Sequence, residues 1–341
     1  MAQAFDVERG RLESDPVVIV DGVMSNAATG RAAFSVSTNG VLIFSGGDVG
    51  MSQFTWFTRS GQPDGTVESP GPYYTIAIAP DGEKIVYGRR DQGGLTQNLW
   101  ITDLGRKVTT RLTFGTSRDS DGTWSPDASR IAYASVRQGD KSLYEIPSAG
   151  GVERQILKAE GRGRSIDDWA PDGKHILYHV DAARELWALP VDGDAKQFLV
   201  VKPASGSIDE PTFSPDGRWI AYNSSESGRN EVYIAPFPPT GARWQVSSRG
   251  GVQPTWRRDG QELFFVAADA KMMAVDVNLE KAVELGTPRA LFQTRLIPNG
   301  SVDQYAASPD GKRFLLMNPV GEDIEEAPTV ILDWPALLTA R

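Results

Sequence analysis

The decapeptide FSPDGRWIAY, residues 213–222, decides the fold of this 341-residue chain. Its proline presets φ at about −65° at the first central position of a type I turn, and its glycine supplies the left-handed position that a following bulge requires. Phe213 ends a buried strand before the turn. Ile220 and Tyr222 then alternate with their neighbours, the period-two mark of a half-buried strand. The stretch therefore reads as a tight β-hairpin.

The hairpin recurs. IAPDGEKIVY (78–87), WSPDASRIAY (124–133), WAPDGKHILYHV (169–180), WRRDGQELFF (256–265) and ASPDGKRFLL (307–316) repeat it, and VSTNGVLIF (36–44) is a degenerate copy. Counted on the Asp or Asn of the turn, the seven copies fall at 39, 81, 127, 172, 216, 259 and 310. Ala128 replaces the usual glycine in one copy, which predicts modest local strain or a slightly different turn there. After each hairpin comes a third strand, such as NLWITD (98–103), SLYEIP (142–147), ELWALP (185–190) or EVYIAP (231–236). A polar outer strand follows, such as TTRLTF (109–114) or VERQIL (152–157). Four short strands repeated every 44 residues or so, with no sustained helical period, describe an all-β propeller of four-stranded blades.

Seven copies predict seven blades, with six as the alternative because the first copy is degenerate. AFDV (4–7) and LESDP (12–16) echo AVDV (274–277) and LGTP (285–288). The reading is one propeller domain over residues 1–341, with residues 1–20 and 303–334 forming a closing blade that removes a sheet edge. In that blade PTVILDW (328–334) supplies the third strand and PVVIV (16–20) the outermost.

Composition narrows the function. A net charge of −9 without a Lys/Arg stripe argues against nucleic acid. The absence of cysteine excludes disulfides, thiolate metal sites and a cysteine nucleophile. The opening MAQAFDVERGRLESDP lacks the apolar core of a signal peptide, and the apolar runs fall short of the roughly 20 residues of a membrane helix. A soluble, monomeric chain is expected.

Beyond these residues there is a resemblance. The copied SPDG turns look like the TolB-like, WD-repeat-like propeller repeats of bacteria. GGVQPTWRRDGQELFFVAADAKMMAVDV (250–277), GTPRALFQTR (286–295) and YAASPDGKRFLL (305–316) are similar to the propeller that follows the kinase domain and membrane helix of many bacterial serine/threonine protein kinases. The resemblance implies an extracytoplasmic, periplasmic sensing or protein-interaction module, binding a protein or a small molecule. The chain itself carries no export signal, which leaves the cytoplasm open. No kinase signature occurs, so kinase activity is set aside.

Acidic residues stand before the first strand of several copies: Asp119 and Asp121, Asp167 and Asp168, Asp209 and Glu210, and Asp303. Innermost strands of a propeller converge on a central channel, so these entry residues frame one mouth of it. Gln253 and the pair Tyr73 and Tyr74 take the corresponding places in two other copies. The expected ligand site is Asp121, Asp167, Asp168, Asp209, Glu210, Gln253 and Asp303. Such a mouth suits a cationic or sugar-like ligand. Hard oxygen ligands also suit Ca²⁺, with Asp119 and Asp121 as candidates. The other reading is that these acids accept backbone N–H groups between blades. No catalytic residue is assigned. A calcium-dependent, lactonase-like hydrolase at the same mouth is the alternative enzyme class, since no Gly-x-Ser-x-Gly elbow exists.

His175 and His179, the only histidines, read as passengers on one strand. They stand roughly 13 Å apart at about 3.3 Å per residue, too far for a shared metal. Two loops could present a protein surface: APFPPTGARW (235–244), offering Phe237 and Trp244, and the acidic GEDIEEAP (321–328).

Overall fold

A computed structural model describes residues 3, 5, 6, 9–12, 17, 19, 25, 26, 31, 32, 34–37, 39–44, 51–91, 96–181, 184–191, 196–298, 302–320 and 329–338. The chain divides into two compact units, residues 52–319 and residues 1–51 with 320–341. No helix among the described residues is long and apolar enough to cross a membrane.

The larger unit holds six blades of antiparallel strands, the first two bridged in parallel at Gln97 and Arg118. Blade one is Tyr73–Ile78, Lys84–Arg90, Gln97–Asp103 and Val108–Arg111. Blade two is Arg118–Trp124, Arg130–Arg137, Asp140–Pro147 and Arg154–Leu157. Blade three is Arg164–Trp169, His175–Val180, Glu185–Pro190 and Phe198–Val201. Blade four is Ile208–Phe213, Trp219–Ser224, Glu231–Pro236 and Trp244–Gln245. Blade five is Gly251–Trp256, Glu262–Ala267 and Lys271–Asn278, with Arg289–Gln293 outside.

Blade six joins chain-distant pieces. Tyr305–Ala307 and Arg313–Pro319 are completed by Ser52–Thr58 and Pro63–Gly71, in register from Arg313 opposite Thr58 to Pro319 opposite Ser52. The innermost strands adjoin in order from blade one to blade six, and blade six adjoins blade one. The ring is closed.

Two expectations are corrected here. The ring has six blades among the described residues rather than seven, because the copy at Asn39 forms its hairpin in the smaller unit. There Phe34–Val36 and Leu42–Phe44 pair with each other, and Thr329–Ile331 pairs with Leu42–Phe44. The closing blade takes its inner hairpin from within residues 303–334, but its outer two strands are Ser52–Thr58 and Pro63–Gly71. A central strand must be apolar on both faces, and SQFTWFT meets that demand with Phe54 and Trp56 packed on one face and Phe57 on the other, where the four-residue AFDV cannot. Phe54 stacks on Tyr73 of blade one, ring centroids 4.2 Å apart, which seals the joint. Of PVVIV, residues 16, 18 and 20 lie outside the described residues.

Three of the hairpins share the same side-chain chemistry. In blade four Ser214 Oγ donates to Asp216 at 2.6 Å, while the Trp219 amide donates to Ser214 Oγ at 3.0 Å. Ser125 and Asp127 in blade two, and Ser308 and Asp310 in blade six, do the same. The tyrosine after each turn (Tyr87, Tyr133, Tyr178, Tyr222) is fully buried, and these rings with Phe265 form the layers between blades.

Candidate functional site

The innermost strands do not run straight past the channel. Each of the first five slips register at the same height: between Tyr87 and Arg89 on the partner strand of blade one, and between Ser120 and Thr123, Ile166 and Asp168, Asp209 and Thr212, and Val252 and Thr255. A bulge leaves its extra residue out of the ladder and re-aims the side chain. The extra residues include Asp121, Asp167, Glu210 and Gln253. Pro211 and Pro254 sit in the same bulges, where a missing N–H costs no ladder bond. Asp121, Glu210 and Gln253 take φ of 57°, 52° and 57°. A left-handed backbone at three equivalent non-glycine positions is strain of the kind found at binding sites.

Around this ring of bulges the charges form a chain. Lys141 lies 3.4 Å from Asp121 Oδ2 and 3.8 Å from Asp181, and donates to Ser165 Oγ. Ser165 Oγ donates to Asp181 at 3.0 Å. His179 Nδ1 is 2.9 Å from Asp167 Oδ1, and its Nε2 is 3.7 Å from Asp181. Burial pulls the imidazole of His179 down, but the charge of Asp167 and its hydrogen bond outweigh this and hold it at about 9. The pair is ionic at neutral pH.

Asp167 is the centre of this arrangement. Its side chain is 4% exposed, and its second oxygen, Oδ2, has no partner. Burial pushes its carboxyl up to about 6 against the pull of His179. Glu210 also leaves one buried oxygen, Oε1, unpartnered, and burial with the charges of Asp303 and Asp209 pushes it well up. Asp303 keeps solvent-exposed surface while protein closes round its carboxyl. That desolvation, with the charges of Asp167, Asp121 and Asp168 behind it, raises it to about 7. Asp209 is raised by burial, with His179 opposing. Asp167, Glu210 and Asp303 line one cavity of about 170 Å³ in the channel, together with Pro211, Thr255 and Tyr305.

The other expected residues divide. Gln253 is buried and clasps Gln304: its Nε2 donates to Gln304 Oε1 at 3.1 Å, and the Gln304 amide donates back at 2.9 Å. It braces blade five to blade six. Asp168 turns away from its neighbour and accepts the amides of Trp169 at 2.8 Å and Phe213 at 2.7 Å and the Thr212 hydroxyl at 3.1 Å. It is a strut from blade three to blade four, although burial raises it to about 6. Asp119 is fully buried within blade two under the hydroxyls of Ser117 and Ser135, so it does not converge with Asp121. No group of three or more metal-ligating side chains is gathered among the described residues.

Tyr74 reaches the channel beneath Arg90, whose guanidinium lies 5.2 Å from the ring, whereas Tyr73 is buried in the blade. Phe237 is not presented by its loop but buried against Phe213 and His175. Trp244 packs edge-on to Trp219. GEDIEEAP lies outside the described residues.

Lys141, Ser165, His179 and Asp181 were not singled out as site residues from the sequence. A signal for His179 exists. The residue after the buried tyrosine is Gly88 or Ala134 in blades one and two, but His179 and Asn223 in blades three and four, where the acids are densest.

Comparison with known proteins agrees with the architecture. Residues 58–200 match the PD40 family, the TolB beta propeller domain. An uncharacterized protein of Agrobacterium fabrum, Atu1656, is 29% identical, with 69% of this chain and 81% of that protein covered. An uncharacterized peptidase of Bacillus subtilis, YuxL, is 28% identical over 46% of this chain but only 31% of its own length. A structure assigned as a TolB from Agrobacterium tumefaciens superposes with a TM-score of 0.64 at 21% identity, covering 81% of this chain and all of that one. With the copied Pro-Asp-Gly hairpin and the closed ring of four-stranded blades, these matches make the chain a β-propeller that is similar to the TolB beta propeller domain over residues 58–200.

Proposed function

We propose that this propeller is a non-catalytic binding module whose channel takes a compact organic cation, an ammonium or guanidinium group of a small molecule or of a partner protein's side chain. The observation that carries this is Asp167: a carboxylate almost wholly buried, fixed by His179 on one oxygen and unpartnered on the other, facing a cavity shared with Glu210 and Asp303. Buried carboxylates without partners are costly, and a cation entering among them recovers that cost. A hydrogen-bonding cation suits carboxylates that come to one cavity from three different blades. The extracytoplasmic sensing role belongs to the same reading, supported by the TolB-like fold alone.

Titration calorimetry with butylammonium and propylguanidinium chloride tests it. Binding is expected to strengthen from pH 5.5 to pH 8 as Asp167 and Asp303 lose their protons, with protons released on binding at the lower pH. Asp167→Asn should weaken binding at least tenfold while leaving the melting curve cooperative. Affinity unchanged by Asp167→Asn, or no binding of either cation at pH 8, would overturn the proposal.

A further inference from the structure

The opposite end of the channel has different chemistry. The hairpin turns meet there, and the residue before the turn aspartate is Pro80, Pro126, Pro171, Pro215 and Pro309 in five blades. These prolines, with Trp124, Trp169 and Trp256, surround a cavity of about 460 Å³ to which all six blades contribute. That is within the roughly 300–1,000 Å³ range of small-ligand pockets. Asp168 reaches this cavity too, but its carboxylate is occupied by two amides and a hydroxyl.

Blade five breaks the pattern. It reads Arg257-Arg258 where blade four reads Ser214-Pro215. Arg257 has a structural explanation, since it pairs with Asp259 at 2.7 Å and with the buried Glu262. Arg258 has none of this kind. Its side chain crosses the mouth to blade one, where Nη1 donates to the Pro80 carbonyl at 2.7 Å. No carboxylate among the described residues pairs with it. A single guanidinium therefore hangs over a proline- and tryptophan-walled cavity, with its remaining donors open to solvent.

We propose that this turn-side cavity is a second binding site, for a carboxylate carried on an apolar body, and that Arg258 reads the carboxylate. The planar guanidinium offers two parallel N–H donors that match a carboxylate, and it carries no competing acid. The proline and tryptophan walls take the apolar part, and rigid walls lose little freedom on binding. The bond to Pro80 holds the side chain over the cavity, and a carboxylate is the stronger acceptor for the same fork. The cavity adjoins the acidic one, sharing Ala77, Ile78, Thr123, Asp168 and Ala307 with it, and is set apart by its guanidinium.

The shared chemistry, an apolar carboxylate, is found both in small organic acids and at the C-terminus of an apolar peptide. Calorimetry with 4-phenylbutyrate and with its primary amide, and with an Ala-Leu-Phe peptide having a free or an amidated C-terminus, tests the proposal and separates the sources. At least one free acid is expected to bind ten or more times tighter than its amide, and the tighter acid identifies the source. Arg258→Gln should remove the discrimination. Arg258→Pro, which restores the residue of the five other turns, should do the same while keeping the fold, as read from its melting curve. Acid and amide binding alike in both pairs, or discrimination that survives both substitutions, would overturn the proposal.

Discussion

Ala128 holds φ at 57° in a place where Gly82, Gly173, Gly217, Gly260 and Gly311 take 78°, 77°, 70°, 73° and 65°. Its amide still closes the turn onto Ser125 O at 2.8 Å, so the geometry is kept and the strain is borne by the alanine. A left-handed alanine costs about 1–2 kcal/mol, and glycine returns part of that gain as unfolded-chain entropy. Ala128→Gly should therefore stabilise the protein by about 0.5–1 kcal/mol in urea denaturation. A loss of stability would contradict it. This strain is legible in the sequence because the turn is copied, and one odd residue stands out against five alike. Asp168 is not legible in the same way. It sits beside Asp167 in the chain, and only the bulge separates a carboxylate that faces the cavity from one that braces the next blade. His179 is hidden for the same reason, since its importance comes from Asp167 across a strand pair and not from its own neighbours.

Among the elements, the strands Ser52–Thr58 and Glu262–Ala267 show how the ring is held shut. Arg59, just past the first of these, places Nη2 2.8 Å and Nη1 2.9 Å from Glu262 and also donates to Gly311 O at 3.1 Å. Arg257 and Arg289 converge on the same carboxylate. One buried acid thus draws together three guanidinium groups from blades five and six, and breaking a buried pair costs about 3–5 kcal/mol. The arginines are partly exposed, with side chains 23–43% accessible, so solvent would recover part of that loss. Glu262→Gln should cost about 2–3 kcal/mol in urea denaturation, and Arg289→Ala, at the most exposed partner, clearly less. Equal losses from the two, or none from Glu262→Gln, would show that the clasp is not centred on this carboxylate. The hairpin Ser52–Thr58 with Pro63–Gly71 has no Pro-Asp-Gly inner hairpin of its own, so a count of copied turns passes over it. The closing strand is identified by its two apolar faces rather than by a motif.

For the whole ring, the consequence of crowding acids round one channel is a stability that depends on pH in an unusual direction. Asp167 is held at about 6 and Asp303 at about 7, against an ordinary 3.8, and Glu210 is also raised. His179 is held at about 9 against 6.5. In each case the folded protein binds its proton more tightly than the unfolded chain does. The stabilisation from the acids is complete below about pH 4 and is lost as pH rises through 6 and 7, and that from His179 is lost as pH rises through 9. Both run the same way, so between pH 8 and pH 5 acidification should stabilise the fold. Below that window the opposite sign takes over, because turn carboxylates such as Asp127, held at about 2 by the Ser125 hydroxyl and the Ser129 amide and hydroxyl, need their charge. Asp303 is solvent-exposed and contributes less than its shift suggests. A gain of about 2 kcal/mol, mostly from Asp167 and Asp168, is the expected size. Thermal melts from pH 8 to pH 5 should show a rising midpoint, and the double substitution Asp167→Asn, Asp303→Asn should flatten the slope. A midpoint that falls over this window would mean that the channel acids are already neutralised by partners, and the acidic end would then have no unmet charge for a cation to satisfy.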